Sequence, residues 1–179
     1  RSPVVELNRA VAVAMAFDGS PPRSKTGAPA LGSFPAEPNC TDCHGGNSIN
    51  TGGSVSLVSP LTWYRPGSTY RLTLQLASSQ TAGNVGRLWG FQLTALNTSG
   101  AAAGSFANVT GQGTMTATGT GSYAGRPYIE VNTSNHAGAA SPVSWQVDWV
   151  APASPAGSVT FYFVGLAADG ANGEGGDWI

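Results

Sequence analysis

The stretch Tyr70-Arg71-Leu72-Thr73-Leu74-Gln75-Leu76 alternates without a break. An extended backbone sends Tyr70, Leu72, Leu74 and Leu76 to one face and Arg71, Thr73 and Gln75 to the other, the period of a half-buried strand. Trp145-Gln146-Val147-Asp148-Trp149 repeats the pattern, with both indoles and Val147 on the apolar side. Outward from these two, the same alternation predicts strands over residues 54–58, 69–76, 89–97, 104–109, 128–132, 144–150 and 158–166. Turn chemistry stands between them at Pro66-Gly67, Ser99-Gly100 and Ala151-Pro152 with Pro155.

Short strands at this spacing, with no helical run among them, predict an all-β, immunoglobulin-like antiparallel sandwich over residues 53–179. Its expected core includes Trp145, Trp149, Phe161 and Phe163. The immunoglobulin disulfide is absent, because the only 2 cysteines, Cys40 and Cys43, precede the sandwich. Composition narrows the class. Charged residues are 9% while hydrophobic ones reach 41% and the net charge is −1, a balance that excludes a disordered chain. The 8 Lys and Arg are scattered, which excludes a polybasic nucleic-acid binder. No run approaches the roughly 20 apolar residues of a membrane span, so no transmembrane segment of its own is expected. Few charges with much Gly, Ser and Thr predict an exported protein, periplasmic or extracellular.

Residues 1–17 (RSPVVELNRAVAVAMAF) are the one stretch of helical character. Ser2-Pro3 with Glu6 resembles a helix start, and Val4, Leu7 and Val11 fall on one face. Two readings stand: a short amphipathic arm, or a signal remnant ending in the A-x-A-like Ala14-Met15-Ala16. Residues 1–16 also resemble a helix of sigma-factor-related proteins, a likeness that carries no chemistry. Residues 18–39 hold Pro21, Pro22, Pro29, Pro35 and Pro38, which excludes a helix and predicts an extended wrapping loop. Together, residues 18–52 form the expected attachment segment.

That loop leads into Cys40-Thr41-Asp42-Cys43-His44, the C-x-x-C-H attachment pattern of a c-type haem. Two thiols three positions apart reach the two vinyl groups of one porphyrin, and the adjacent His44 meets the iron from the same side as the proximal axial ligand. Gly45 and Gly46 then let backbone approach the ring closely. A Cys40–Cys43 disulfide would need no following histidine. A structural zinc site needs four ligands, and only Cys40, Cys43, His44 and His136 offer nitrogen or sulfur. One covalent haem c is the expected cofactor. For its sixth ligand the candidates are His136, the only other histidine, then Met115, with Met15 and the N-terminal amine behind them. A methionine there raises the potential, and an open site implies gas binding or peroxidase chemistry. Arg23, Lys25, Arg87 and Arg126 are available to offset the propionates, and some core aromatics to pack on the porphyrin.

Other patterns carry less. No G-x-S-x-G, P-loop or dinucleotide fingerprint appears, so no enzyme activity is expected. Residues 169–177 (DGANGEGGD) offer oxygen ligands without EF-hand spacing and read as a polar turn or a metal loop. N-x-[ST] sequons begin at Asn39, Asn97, Asn108 and Asn132, as expected in a chain rich in Ser and Thr.

An ordered set of segments carries a resemblance. These are Gly19-Ser20-Pro21-Pro22, Thr26-Gly27-Ala28-Pro29, the C-x-x-C-H, Gly90-Phe91-Gln92-Leu93-Thr94-Ala95-Leu96, Tyr128-Ile129-Glu130, Trp145 with Trp149-Val150-Ala151-Pro152, and Val159-Thr160-Phe161-Tyr162. Over residues 17–179 the chain resembles a bacterial family of exported Reeler-like β-sandwich domains, which often carry one haem-attachment motif near the N-terminus. Such domains commonly place a histidine soon after the Tyr-Ile-Glu position; here Val131 follows and His136 comes five residues later. Relatives also continue beyond the Gly-rich stretch that ends at Ile179. The resemblance implies an exported fold but no settled activity.

The expected function is therefore a monohaem c-type cytochrome subunit carrying electrons outside the cytoplasm. One haem conducts only a short way alone, and so few charges supply no steering patch, which favours a docked role. The expected partners are redox proteins, subunits of a membrane redox or photosynthetic complex, or further copies stacked into a filament through residues 1–38. The alternative is a structural or adhesive surface module whose cysteines form a disulfide or whose haem has no redox duty.

Overall fold

The computed structural model describes residues 5–7, 23–58, 61–79, 88–132, 136–169 and 175–177. In chain order the strands are β1 (Val5–Leu7), β2 (Gly45–Gly46), β3 (Gly53–Val58), β4 (Thr69–Ser78), β5 (Leu88–Asn97), β6 (Ser105–Asn108), β7 (Thr114–Thr118), β8 (Pro127–Val131), β9 (Val143–Val150), β10 (Val159–Ala168) and β11 (Gly175–Asp177). They form a four-stranded sheet ordered β3-β4-β9-β6, a five-stranded sheet ordered β1-β10-β5-β8-β7, and a two-stranded ribbon of β11 and β2. The two large sheets are antiparallel except where β1 joins β10 in parallel. The chain is a β-sandwich, as its alternation predicts.

Register explains the core. Leu72 lies opposite Val147, Leu74 opposite Trp145, and Leu57 opposite Leu74, so one face of the four-stranded sheet is apolar across its strands. The five-stranded sheet answers with Trp89, Phe91, Leu93 and Ala95 of β5, Phe161 and Phe163 of β10, and Ile129 of β8. Trp149 meets Phe161 edge-on at 5.1 Å and Tyr64 at 5.5 Å, while Trp145 packs on Phe91 at 5.0 Å. The predicted aromatic stripe is thus the core. Gly165 lets the sheets approach: a Cβ there would stand 2.8 Å from Leu76 Cδ1 and 3.2 Å from Val55 Cβ.

β5 is buried from Trp89 to Leu96 and β10 along its whole length, so the five-stranded sheet is covered on its outer face too. The proline-rich loop is one cover. Ala28 and Leu31 pack on Leu96 and Tyr162, and the Lys25 backbone N–H donates to Gln92 Oε1 at 2.7 Å. The predicted wrapping loop, over its described part from residue 23, therefore wraps this sheet.

A buried ion pair pins the loop. Arg126 Nη1 donates to Glu37 Oε1 at 2.6 Å, and both side chains are 0% exposed. Tyr128 Oη donates to the same oxygen at 2.6 Å, and Thr26 donates to Glu37 Oε2 through N–H and Oγ1 at 3.1 and 2.6 Å. Burial, then the Glu37 charge, raises the Tyr128 phenol far above its usual range, so it stays a donor. The guanidinium lies over Phe34 at 4.4 Å and gives its Nε hydrogen to Gly100 O at 3.1 Å. Removing one partner of such a pair costs about 3–5 kcal/mol, because the other charge stays buried alone.

Two expectations need correction. Residues 5–7 are a strand and not part of a helix: Val5, Glu6 and Leu7 pair with Val159, Thr160 and Phe161, giving partners to backbone groups on the β10 edge that β5 leaves open. The rest of the predicted helix, with Met15, lies outside the described residues. β7, like the short β2 and β11, is not among the predicted strands. Its Thr-Met-Thr-Ala-Thr run has no strong apolar alternation, and its pairing with β8 supplies the order instead. The other predicted strands form within two residues of their expected ends.

Candidate functional site

Backbone geometry at the C-x-x-C-H follows from its flanks. Cys40–Asp42 form one tight helical turn, started by Asn39, whose Oδ1 accepts the Thr41 backbone N–H at 3.1 Å. Cys43 is exposed and carries a free thiol. Lys25 Nζ meets Asp42 Oδ2 at 2.8 Å and ties the motif to the wrapping loop.

His44 is held from far along the chain. Its Nδ1 lies 2.8 Å from Asp177 Oδ2, with the two side chains 9% and 0% exposed. A carboxylate only accepts, so Nδ1 carries the proton and the lone pair of the neutral ring sits on Nε2. Asp177 Oδ1 in turn accepts the Asp169 backbone N–H at 3.1 Å. The ribbon supplies the framework: β2 and β11 run parallel, with Gly45 opposite Gly175 and Gly46 opposite Asp177. Asn47 Nδ2 clamps it by donating to Asp177 O at 3.0 Å. Gly176 has φ +92°, and a Cβ there would stand 2.6 Å from Asp169 Oδ2, so glycine is required.

This donor set fits a covalent haem: a free exposed thiol, a histidine whose Nδ1–H is spent on a buried acceptor and whose Nε2 keeps its lone pair, and side-chain-free backbone directly after it. Among the described residues, no three His, Cys, Asp or Glu side chains gather as a metal cluster. The polar run 169–177 contributes Asp177 to His44, a role its composition did not reveal. No spacing rule links residues 133 apart.

The remaining candidates are placed as follows. His136 Nε2 donates to Ser144 O at 2.9 Å, and its ring stands edge-on to Trp145 at 4.9 Å, leaving Nδ1 as the nitrogen a metal would use. Met115 lies opposite Glu130 in the β7–β8 ladder, and Glu130 lies opposite Gln92 in the β8–β5 ladder. Cross-strand partners share a face, so Met115, Glu130 and Gln92 form a row on the outer face, where the Lys25 backbone meets Gln92. Glu130 Oε2 accepts from Gln92 Nε2 at 2.8 Å. Burial raises the Glu130 carboxyl above the usual range, against the Gln92 hydrogen bond and the Arg23 charge. Of the cations considered for propionates, Arg126 is buried against Glu37 and Lys25 is paired with Asp42; Arg23 is exposed, and Arg87 lies outside the described residues.

Among the described residues no helix is long and apolar enough to cross a membrane. No family model matches the sequence, and no curated protein does. Among solved structures the chain is similar to two Reeler-domain fragments of human F-spondin, at 21% and 20% identity with TM-scores of 0.39 and 0.40. The alignments cover 65% of this chain and 75% and 78% of those chains. The Reelin-N domain of F-spondin is similar at 21% identity and TM-score 0.39, over 65% of this chain and 72% of that one.

Proposed function

We propose that the chain is an exported monohaem c-type cytochrome module that carries electrons while docked in a larger redox assembly. The observation that carries this is His44 itself: directly after Cys43, it gives Nδ1–H to the buried Asp177 carboxylate and keeps Nε2 as its metal-binding nitrogen. When bound, the haem supplies one-electron chemistry at its iron. Cys40 and Cys43 tether it, His44 orients it, and the β2–β11 ribbon keeps the histidine from turning away. Over its described part, the segment considered for docking lies on its own sheet, through β1 and through the buried Thr26, Ala28 and Glu37. Its exposed positions, Arg23 and then Pro29, Ala30, Gly32, Ser33, Pro35 and Ala36, are what a partner would meet. The test is a pyridine haemochrome assay on protein exported by a host with cytochrome c maturation. A c-type spectrum lost in Cys40→Ala and Cys43→Ala is expected. A colourless wild-type protein would overturn the reading.

A further inference from the structure

Asp177 does more for His44 than hold it still. A backbone carbonyl would fix the same tautomer with a partial charge, whereas a carboxylate that is 0% exposed brings a full negative charge to 2.8 Å from Nδ1. Little water screens it there. Such a partner polarises the Nδ1–H bond and makes the opposite nitrogen a stronger electron donor to a metal. The carboxylate is itself fixed. Its Oδ1 takes the Asp169 N–H, its backbone carbonyl takes Asn47 Nδ2, and its strand pairs with the one after His44. Resting on the haem reading above, we propose that Asp177 is the positioning residue that sets the iron's electronic character. Through it, His44 is a strongly donating axial ligand that favours the ferric state and gives the centre a low reduction potential.

A bound haem would exchange one electron at its iron, while the chain's own part would be to keep the His44–Asp177 hydrogen bond, with no further reactant needed. Asn is the informative replacement: Asp177→Asn keeps the side-chain shape and one acceptor oxygen for His44 Nδ1–H, removes the charge, and gives up the bond from the Asp169 N–H. Haem content of wild type and variant comes first, then midpoint potentials by spectroelectrochemical titration and ferric EPR.

The variant is expected to load haem like the wild type. Its potential should rise by at least the equivalent of a tenfold shift in the ferric–ferrous ratio, about 59 mV for one electron. Its EPR g-values should spread as the axial donor weakens. Asp177→Glu should recover part of the wild-type potential. Should Asp177→Asn fail to fold or load, Asn47→Ala loosens the clasp without touching the charge and should give a smaller rise of the same sign. A haem-loaded Asp177→Asn with the wild-type potential and EPR overturns this inference alone, as does an unmoved Asn47→Ala where that variant must decide. A wild-type protein without haem overturns the cytochrome reading and this inference with it.

Discussion

At the scale of single residues, the motif and its support differ in how far apart their parts lie. Cys40, Cys43 and His44 are legible because they stand within five positions and form one local pattern. Asp177 is 133 residues from His44, and Glu37 is 89 residues from Arg126. Only the folded sheets bring these pairs together, so no local pattern links their members. Glu130 is a similar case with a measurable consequence. Burial raises its carboxyl in the folded chain above the unfolded value near 4.3, so folding favours the protonated form. Its contribution to stability is therefore fully present below the unfolded pKa and is lost as the pH rises through the folded one. Glu130→Gln keeps an acceptor for Gln92 Nε2 and removes the charge. Its melting temperature should exceed that of the wild type at pH 7.5, and the gap should close as the pH falls to about 4. Melts across that range decide the matter; a gap independent of pH would mean that the residue acts through packing.

Among elements, legibility follows how much of the order is local. β4 and β9 alternate because one side of each faces the core, and that asymmetry is written directly in their sequences. β5 and β10 are buried on both faces, and their near-continuous apolar runs still read as strands. β7 and β1 depend on a neighbour's free edge, which no pattern of their own records. The role of Gly165 was equally hidden, since it is defined by Leu76 and Val55 on the opposite sheet. Gly165→Ala places a methyl 2.8 Å from Leu76 Cδ1 and 3.2 Å from Val55 Cβ. The sheets or the leucine rotamer must give way, at about 1–3 kcal/mol for overpacking a filled core. Urea unfolding should show that loss. Leu76→Ala should then cost less in the Gly165→Ala chain than in the wild type, because the two changes share one contact.

For the whole molecule, the division of labour follows from the sandwich's two faces. One face of the five-stranded sheet makes the core with the four-stranded sheet. The other carries the wrapping loop, the row Met115–Glu130–Gln92 and, through Lys25, the attachment motif. This arrangement spends charge internally: Arg126 on Glu37, Lys25 on Asp42, Arg71 on Asp148. With charged residues at 9% and a net charge of −1, little field remains to steer a diffusing partner. On the cytochrome proposal, electron exchange with a redox partner should then respond weakly to salt. Between 20 and 200 mM NaCl the second-order rate constant, followed by stopped-flow absorbance, should change by less than about threefold, where steered encounters fall far more steeply. A steep fall would show a charged docking patch built by the propionates or by residues outside those described. A flat profile fits a module that keeps its partner by contact and lets the assembly, not long-range attraction, bring the electrons to it.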